Sequence, residues 1–362
     1  MPEARVHRIA AGAPDDFSGL EALIASGRLD PARIVAVFGK TAGNGLVNDF
    51  SRGLATTALR QALLRHVPPE RAAAVAAVMS GGTEGGMAPH WLVFERVETD
   101  DAGGPALAIG VAHTAPLPAE HLGRAEQVAM VRDGVLAAME NAGITRSEDV
   151  HFAQVKCPLL TAERIATAEA RGASAAIRDT LKSMGLSRGA ASLGVAAALG
   201  EVPIEAATQE RIGADPSLYS GVASASAGIE LQNHEIVVLG MSPAWSGPLA
   251  IDHAVMADGL DVEPVRAALR RLGLAAEGQL APGERERLVA LLAKAEASRS
   301  GRLRGRRHTM NDDSDVSSTR HARAFVAGSL GGLVGHGEIY VSGGAEHQGP
   351  DGGGPVAAIV RR

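Results

Sequence analysis

The sequence predicts an α/β protein made of three similar strand–helix–strand–strand units around a pseudo-threefold axis. The pattern Ser-small-Gly-x-Glu occurs three times, at 80–84, 226–230 and 342–346. Each copy is followed by a stretch with the pattern of a β-strand, and is preceded by a lysine and by an arginine that follows a hydroxyl residue. Because these repeats are separated by more than 100 residues, they have the size of small domains rather than of solenoid turns.

The composition fits a layered core and excludes several classes of protein. Of 362 residues, 46% are hydrophobic but only 3% are aromatic, so Ala, Val and Leu must fill the space between helices and sheets. A net charge of −6 gives no electrostatic footprint for nucleic acid. No apolar run is long enough for a membrane span, the amino terminus lacks the layout of a signal peptide, and the single cysteine, Cys157, fits a reducing compartment. We therefore expect a cytoplasmic protein without a membrane or nucleic-acid partner.

The first predicted unit, residues 1–104, contains a helix, a strand ending at Lys40, a second helix beginning at Arg52, and two further stretches around Ser80. In chain order these elements are predicted over 20–26, 33–38, 52–64, 72–79 and 91–97. The stretch 100–105, rich in Asp and Gly, predicts a linker or a hairpin tip.

The second and third predicted units, residues 112–250 and 255–362, repeat this order. In the second, helices are predicted over 127–141, ending at Gly143, and over 190–199, opened by Arg188, with strands over 150–155 and 221–226. In the third, helices are predicted over 262–272 and 320–333 and strands over 338–341 and 355–360. The stretch 287–294, which ends at Lys294, fits a strand or a helix by pattern.

The repeated residues suggest nucleophilic chemistry with lysine as the base. A serine hydroxyl needs a base to remove its proton, and no histidine recurs in register with the three serines, whereas lysine does. A lysine can accept a proton if burial and neighbouring positive charge lower its pKa. Three Ser-Gly turns and three arginines around one axis would form a ring of hydrogen-bond donors, which suits a small, flat ligand with several carbonyl oxygens.

Several longer motifs resemble the cyanuric acid hydrolase/barbiturase family of ring-opening amidohydrolases. They are MSGGTEG at 79–85, VKCPLL at 155–160, VSGGAEHQGP at 341–350, GKT at 39–41, NDFSRG at 48–53 and RHTM at 307–310. Together they extend over essentially the whole chain. The resemblance implies three structurally similar units around a pseudo-threefold axis, an active site where they meet, and hydrolysis of a cyclic imide-type ring without a catalytic metal.

The resemblance also implies roles for particular residues. Ser226 is the implied nucleophile with Lys156 as its base, and Lys40 with Ser80 and Lys294 with Ser342 are supporting pairs. The implied substrate-binding residues are Arg52, Ser80, Gly81, Arg188, Ser226, Ala227, Arg320, Ser342 and Gly343. A structural Mg²⁺ or Ca²⁺ is implied at Glu296, Ala345, Gln348, Gly349, Pro350 and Gly353, all of which can offer oxygen ligands. We further expect a homotetramer.

Alternatives remain at this stage. Ser224 rivals Ser226 by pattern, although Ser226 has its glutamate four residues on, as in the other two copies. We favour the activity of a cyanuric acid hydrolase, which yields carboxybiuret and from it biuret and CO₂. Barbiturase is the alternative activity, and Val316 is the residue that could decide between the two. A non-catalytic binder of cyclic amides is disfavoured by the three intact Ser–Lys pairs, and a His-based serine amidase by the absence of a Gly-x-Ser-x-Gly motif.

Overall fold

Three four-stranded sheets of identical topology form the framework of the molecule. The computed structural model describes residues 1–101, 103–308 and 315–362. In each sheet the strands of the unit lie in the order first, fourth, second, third, so each unit places its first strand at one edge and its third at the other. The second and fourth strands of each unit, which pair in the middle of the sheet, run antiparallel, and the second and third strands run parallel. The predicted α/β class with three similar units around a pseudo-threefold axis is confirmed.

The strands of the three units occupy corresponding places along the chain. The first unit has β1 (Pro2–Ala10), β2 (Ile34–Thr41), β3 (Ala76–Gly81) and β4 (His90–Glu98). The second has β5 (Ala106–His113), β6 (Val150–Pro158), β7 (Ala223–Gly228) and β8 (Glu235–Ser242). The third has β9 (Leu249–Met256), β10 (Leu288–Ala295), β13 (Tyr340–Gly343) and β14 (Gly354–Arg361), with a small hairpin of β11 (Arg302–Leu303) and β12 (Arg306–Arg307).

The helices lie between these strands. They are α1 (Ser18–Ala25), α2 (Phe50–Leu63), α3 (Pro69–Ala74), α4 (Ala125–Ala142), α5 (Ala162–Ala170), α6 (Thr180–Leu199), α7 (Glu263–Arg271), α8 (Pro282–Arg287) and α9 (Ser318–Val334). As predicted, α4 stops at Gly143, which adopts the left-handed conformation with φ of 62°. The helix around Arg188 was predicted to start at that arginine; instead α6 starts at Thr180, because the Asp179 side chain accepts a hydrogen bond from the Lys182 backbone N–H and caps it.

The sheets divide the chain slightly earlier than the predicted units do. Strand β5 begins at Ala106, before the predicted start at 112, and β9 begins at Leu249, before 255. Each pairs with the last strand of its own unit, so every unit has one strand more than the predicted strand–helix–strand–strand pattern. The ambiguous stretch before Lys294 is a strand, since β10 pairs with both β13 and β14.

A common core lies between the three sheets. One cluster of buried side chains draws on all units, with Phe38 from β2, Val155 from β6 and Leu292 from β10 among its members. Separate apolar clusters join helices to the other faces of the first and third sheets. The three sheets therefore meet at the axis, and the carboxyl ends of β2, β6 and β10 lie together there. Within the described residues, no helix has the length and apolarity needed to cross a membrane.

Candidate active site

Each predicted Ser–Lys pair is brought together by the same strand pairing. Lys40 lies opposite Ser80 on β2 and β3, Lys156 opposite Ser226 on β6 and β7, and Lys294 opposite Ser342 on β10 and β13. All three lysines are at most 1% exposed. The sequence repeat is thus a structural repeat that places three buried amines beside three hydroxyl groups.

The lysines also link the units in a ring. Lys40 Nζ donates to the Val341 carbonyl at 2.8 Å, Lys156 Nζ to the Met79 carbonyl at 2.7 Å, and Lys294 Nζ to the Ala225 carbonyl at 2.9 Å. Each acceptor is the residue just before the motif serine of another unit. The first unit therefore reaches the third, the third reaches the second, and the second reaches the first.

The motif glutamates repeat the same cyclic order with arginines. Glu346 binds Arg188 through two hydrogen bonds of 2.7 Å, and Glu84 binds Arg323 through two contacts, one of them 2.8 Å from Nε to Oε2. In the second unit Glu230 Oε1 lies 3.7 Å from Arg52 Nε. In every case the glutamate comes from one unit and the arginine from the next, so that side chains of two units complete each motif. The sequence pattern predicts the register of these glutamates but not their partners.

Arg323, and not the predicted Arg320, is the third arginine of this ring. Arg323 is 2% exposed and lies on the stripe of α9 that carries Val326, Ala327 and Leu330. Arg320 stands one turn earlier, is only partly buried and does not border the cavity described below. The preceding Ser-Thr made Arg320 look equivalent to Arg52. The better signal is a charged residue on the otherwise apolar face of the helix.

The small residues of the motifs make room for these side chains. A Cβ atom on Gly82 would lie 2.6 Å from Arg323 Nη2, and one on Gly344 would lie 2.5 Å from Arg188 Nε. At the preceding position, a Cβ on Gly81 would meet the Asp49 carboxylate at 1.6 Å. Ala227 occupies the equivalent position in the second unit.

The three Ser–Lys pairs differ in their hydrogen bonds. Lys40 Nζ donates to Ser80 Oγ at 3.3 Å and Lys294 Nζ to Ser342 Oγ at 3.2 Å. Lys156 Nζ instead lies 2.7 Å from Glu230 Oε1, and Ser226 Oγ makes no hydrogen bond with any described residue. Ser226 is also the most exposed of the three serines, at 8% against 5% and 2%.

Burial lowers the pKa of all three lysines, to different extents. Desolvation, followed by repulsion from Arg323, holds the pKa of Lys40 well below its ordinary value. Desolvation, followed by repulsion from Arg188, brings the pKa of Lys294 to about 7. Desolvation also lowers the pKa of Lys156, but the adjacent Glu230 carboxylate opposes this shift. The centre of the molecule can therefore hold neutral amines near neutral pH.

Residues of all three units surround a compact cavity on the axis. Its lining residues are Gly45, Arg52, Met79, Ser80, Gly81, Lys156, Met184, Arg188, Ser226, Ala227, Arg323, Ser342 and Gly343. Ser224 lies two residues before Ser226 on β7, is fully buried, and faces Gln154 rather than the cavity lysine. Val316, the predicted specificity residue, is 46% exposed and is not part of this lining, whereas Thr319 packs beside Gly343.

Comparison with known proteins shows what this arrangement is. A family model described as amidohydrolase ring-opening protein matches residues 5–361. The chain belongs to this family of ring-opening amidohydrolases. The chain is 64% identical to the cyanuric acid amidohydrolase of Azorhizobium caulinodans, covering 100% of this chain and 99% of the relative, and 49% identical to that of Pseudomonas sp. strain ADP, covering 98% of each.

Solved structures of similar proteins have the same fold. A crystal structure of the cyanuric acid hydrolase from A. caulinodans superposes with a TM-score of 0.93 at 63% identity, covering 100% of this chain and 99% of that one. A second cyanuric acid hydrolase, described as an evolutionary innovation by structural concatenation, gives a TM-score of 0.94 at 48% identity, with both chains fully covered. The chain is therefore an enzyme, a ring-opening amidohydrolase built from three concatenated units.

The predicted cation ligands of this amidohydrolase lie next to the site, Glu296 directly after β10 and the others in the turn after β13. Glu296 accepts hydrogen bonds from the backbone N–H groups of Ala297 at 2.9 Å and Ala345 at 3.3 Å. Burial and the neighbouring Glu346 carboxylate raise the pKa of Glu296. Glu296, Ala345, Gly349 and Pro350 border one pocket, while the Gln348 side chain is engaged with Ala225 N–H at 2.7 Å. Of the family motif at 307–310, Thr309 and Met310 lie outside the described residues.

The sequence also did not identify Tyr340 as a neighbour of the site. Tyr340 is two residues before Ser342 and completely buried, and its ring centroid lies 6.0 Å from Lys40 Nζ of the first unit. Its counterparts in the other units are Val78 and Ser224, so the residue type does not repeat. A pattern based on repetition could not have found it.

Proposed function

We propose that this amidohydrolase opens the ring of cyanuric acid. The observation that carries the proposal is the ring of three Ser–Lys pairs and three arginines around one small cavity, because cyanuric acid is a flat ring with three equivalent carbonyl groups. The relatives named as cyanuric acid amidohydrolases, which match the chain over its whole length, support the same substrate.

Ser226 is the nucleophile in this proposal. The hydroxyl groups of Ser80 and Ser342 accept hydrogen bonds from their lysines, whereas Ser226 Oγ has no such bond among the described residues. A hydroxyl that accepts no hydrogen bond from a lysine keeps its lone pairs for a carbonyl carbon. Ser80 and Ser342 then serve as donors that position two other edges of the substrate.

Lys156 is the proposed base. A neutral amine has two N–H bonds and one lone pair. The Met79 carbonyl and the Glu230 carboxylate, each 2.7 Å from Nζ, can accept both N–H groups. The lone pair is then left for the proton of Ser226, which lies opposite Lys156 across the strand pair. Desolvation favours this neutral form, against the attraction of Glu230.

The reaction balances with one water molecule. Ser226 Oγ attacks a ring carbonyl carbon and transfers its proton to Lys156, and donors around the cavity stabilise the oxyanion. The C–N bond breaks, and Lys156 returns the proton to the leaving nitrogen. Water then hydrolyses the ester to Ser226 and releases carboxybiuret, which loses CO₂ to give biuret.

A structural Mg²⁺ or Ca²⁺ belongs to the proposal as well. Glu296 and the carbonyl groups of the turn Ala345–Gly353 would hold the ion, and its charge would relieve the repulsion between Glu296 and Glu346 that the raised pKa of Glu296 reflects. Since Glu346 binds Arg188, the ion would fix one wall of the cavity without taking part in bond breaking. No other cofactor is proposed.

The expected homotetramer in the cytoplasm is likewise a proposal. Light scattering of the purified protein would give its mass in solution, and a monomer or dimer at working concentrations would contradict the tetramer.

Parallel steady-state assays with cyanuric acid and barbituric acid test the substrate. We expect a higher kcat/KM for cyanuric acid, with biuret as the final product identified by mass spectrometry. The two rings differ at one position, where an N–H replaces a CH₂, and a buried donor left unpaired costs about 1–3 kcal/mol. A preference for barbituric acid would transfer the assignment to the barbiturase reaction, and no turnover of either ring would refute the proposal.

A further inference from the structure

Two histidines face each other at the boundary between the second and third units, away from the cavity. His151 on β6 and His253 on β9 have their Nδ1 atoms 2.8 Å apart. Asp252 Oδ1 lies 3.6 Å from His151 Nδ1. Among the described residues, this is the only set of three His, Cys, Asp or Glu side chains whose ligand atoms all lie within 4.8 Å of one another.

The pseudo-threefold repeat gives this place an internal comparison. Arg8 in the first sheet and His253 in the third hold equivalent register positions. Each pairs with a residue of the last strand of its unit, and that residue pairs in turn with the residue two positions before the unit's lysine. Arg8 closes its own boundary directly, donating to the Leu288 carbonyl at 3.3 Å and pairing with Glu338 at 3.2 Å. Among the described residues, no arginine makes such a pair across the boundary between the second and third units at this position. This boundary has two imidazoles and a carboxylate instead.

The spacing of these atoms suits a tetrahedral metal ion. With Zn–N distances of about 2.0–2.1 Å and a tetrahedral angle, two nitrogen ligands are about 3.3 Å apart. The rings would therefore need to separate by about half an ångström to admit an ion. Imidazole nitrogen favours Zn²⁺, Ni²⁺ or Cu²⁺ over Mg²⁺ or Ca²⁺, which prefer oxygen.

The surroundings of Asp252 hold the carboxylate in place. Arg271 Nε donates to Asp252 Oδ2 at 2.6 Å, and Arg271 Nη2 donates to the His253 carbonyl at 3.0 Å. Among the residues that the structure describes, Asp252 Oδ1 accepts only the His253 N–H, at 2.7 Å, which leaves a lone pair for a further partner. Carboxylate ligands of metal ions are commonly oriented by such outer hydrogen bonds.

We propose that His151, Asp252 and His253 bind a divalent transition-metal ion such as Zn²⁺, with a water molecule at the fourth position. The ion joins β6 of the second unit to β9 of the third. His151 is five residues before Lys156, about 16 Å along the strand. The ion therefore has a structural role and is separate from both the cavity and the oxygen-lined site at Glu296.

Calorimetric titration of metal-stripped protein with Zn²⁺, in the presence of excess Mg²⁺, tests this site. We expect one Zn²⁺ per chain in the parent protein. His151→Ala, His253→Ala and Asp252→Asn should each weaken Zn²⁺ binding by about a hundredfold or more, since loss of an outer-sphere partner alone costs about 10–100-fold. His121→Ala, a change at a partly exposed histidine elsewhere, is the matched control and should bind Zn²⁺ like the parent.

Two further readouts keep the test decisive. Co²⁺ in the same site should give the strong visible absorption of a tetrahedral complex in the parent and not in His253→Ala, and His253→Gln replaces that variant if it does not fold. Zn²⁺ should raise the Tm of the parent and of His121→Ala but not that of His253→Ala. Equal Zn²⁺ binding by the parent and His253→Ala, or no binding by the parent, would overturn the proposal.

Discussion

Ser226 differs from Ser80 and Ser342 in the partners of its hydroxyl group. The other two serines are hydrogen-bonded to their lysines, and the lysine of the second unit is turned to Glu230. Three pairs with almost identical backbone positions therefore have different chemistry, because a single carboxylate contact differs. At this scale the proposal of Ser226 as the nucleophile rests on hydrogen bonds that the sequence pattern does not contain.

Replacing the proposed nucleophile should separate it from its rival in sequence. We expect Ser226→Ala to lower kcat by at least about 10³-fold, as loss of a nucleophile does in other hydrolases, with an unchanged circular dichroism spectrum. Ser224→Ala should keep most of the activity, because Ser224 is buried below the cavity. An inactive Ser224→Ala beside an active Ser226→Ala would show that the register is wrong.

The protonation state of Lys156 should determine the pH dependence. A base must be neutral, so log kcat/KM should rise with pH as Lys156 loses its proton, and level off below the ordinary lysine pKa of about 10.4 because burial lowers its pKa. Lys156→Arg should lose about 10²–10⁴-fold in kcat, since arginine stays charged. Lys182→Arg, at an exposed position, is the control. Activity of Lys156→Arg within tenfold of the parent would mean that only a positive charge is required.

The arginines give a direct test of the corrected assignment in α9. We expect Arg52→Ala, Arg188→Ala and Arg323→Ala each to lower kcat/KM by about 10–100-fold, the effect of losing a charge-assisted hydrogen bond. Arg320→Ala and the exposed Arg28→Ala should stay within about threefold of the parent. A larger loss for Arg320→Ala than for Arg323→Ala, measured on folded protein, would restore the sequence-based choice.

At the scale of elements, the start of α2 connects helix stability to the cavity. The Asp49 carboxylate accepts the backbone N–H groups of Ser51 at 3.1 Å and Gly45 at 2.7 Å, and it lies against Gly81. One side chain thus caps the helix that carries Arg52 and shapes the loop that lines the cavity.

Removal of this cap should affect both stability and activity. We expect Asp49→Ala to destabilise the fold by about 1 kcal/mol in chemical denaturation and to lower kcat/KM by at least about tenfold. Asp179→Ala removes the corresponding cap from α6 and should cost similar stability, but its effect on kcat/KM should be small because Arg188 lies nine residues further on. Equal kinetic losses in the two variants would mean that capping acts only through general stability.

The sequence predicted most elements but not all of their limits. The helices 127–141 and 262–272 and the strand 150–155 were well placed, because turn or capping residues and apolar periodicity mark them. Strands β1, β5 and β9 were missed. Strands β1 and β9 mix polar and charged residues with apolar ones, and β5 follows directly on the predicted linker at 100–105. The start of α6 was misplaced because Arg188 lies inside the helix instead of at its start.

At the scale of the whole molecule, every motif is completed by another unit. The contacts that the lysines and the motif glutamates make with other units run in one direction around the axis, so the three units depend on one another for the burial of their charges. The sequence could predict the repeat, because the chemistry recurs. It could not predict which unit supplies the partner, because contacts between residues more than 100 positions apart leave no local pattern.

These contacts between units should be measurable as coupling energies. For Arg188→Met and Glu346→Gln, singly and combined, we expect a coupling of at least about 1.5 kcal/mol in the free energy of unfolding, because the pair is mostly buried and doubly hydrogen-bonded. The exposed pair Arg146 and Glu148 is the control and should show no resolvable coupling. Additive effects of the two changes at 188 and 346 would contradict a stabilising link between the second and third units.

The ring of donors also bears on the statistics of binding. A ligand with threefold symmetry that enters a nearly threefold-symmetric cavity presents an equivalent carbonyl carbon to Ser226 after each turn of 120°. Three orientations are then productive, so fewer encounters are wasted than for a ligand that must arrive in one orientation, an advantage of about threefold. Under the proposed function, this degeneracy contributes to discrimination between two rings of nearly equal size without any additional contact.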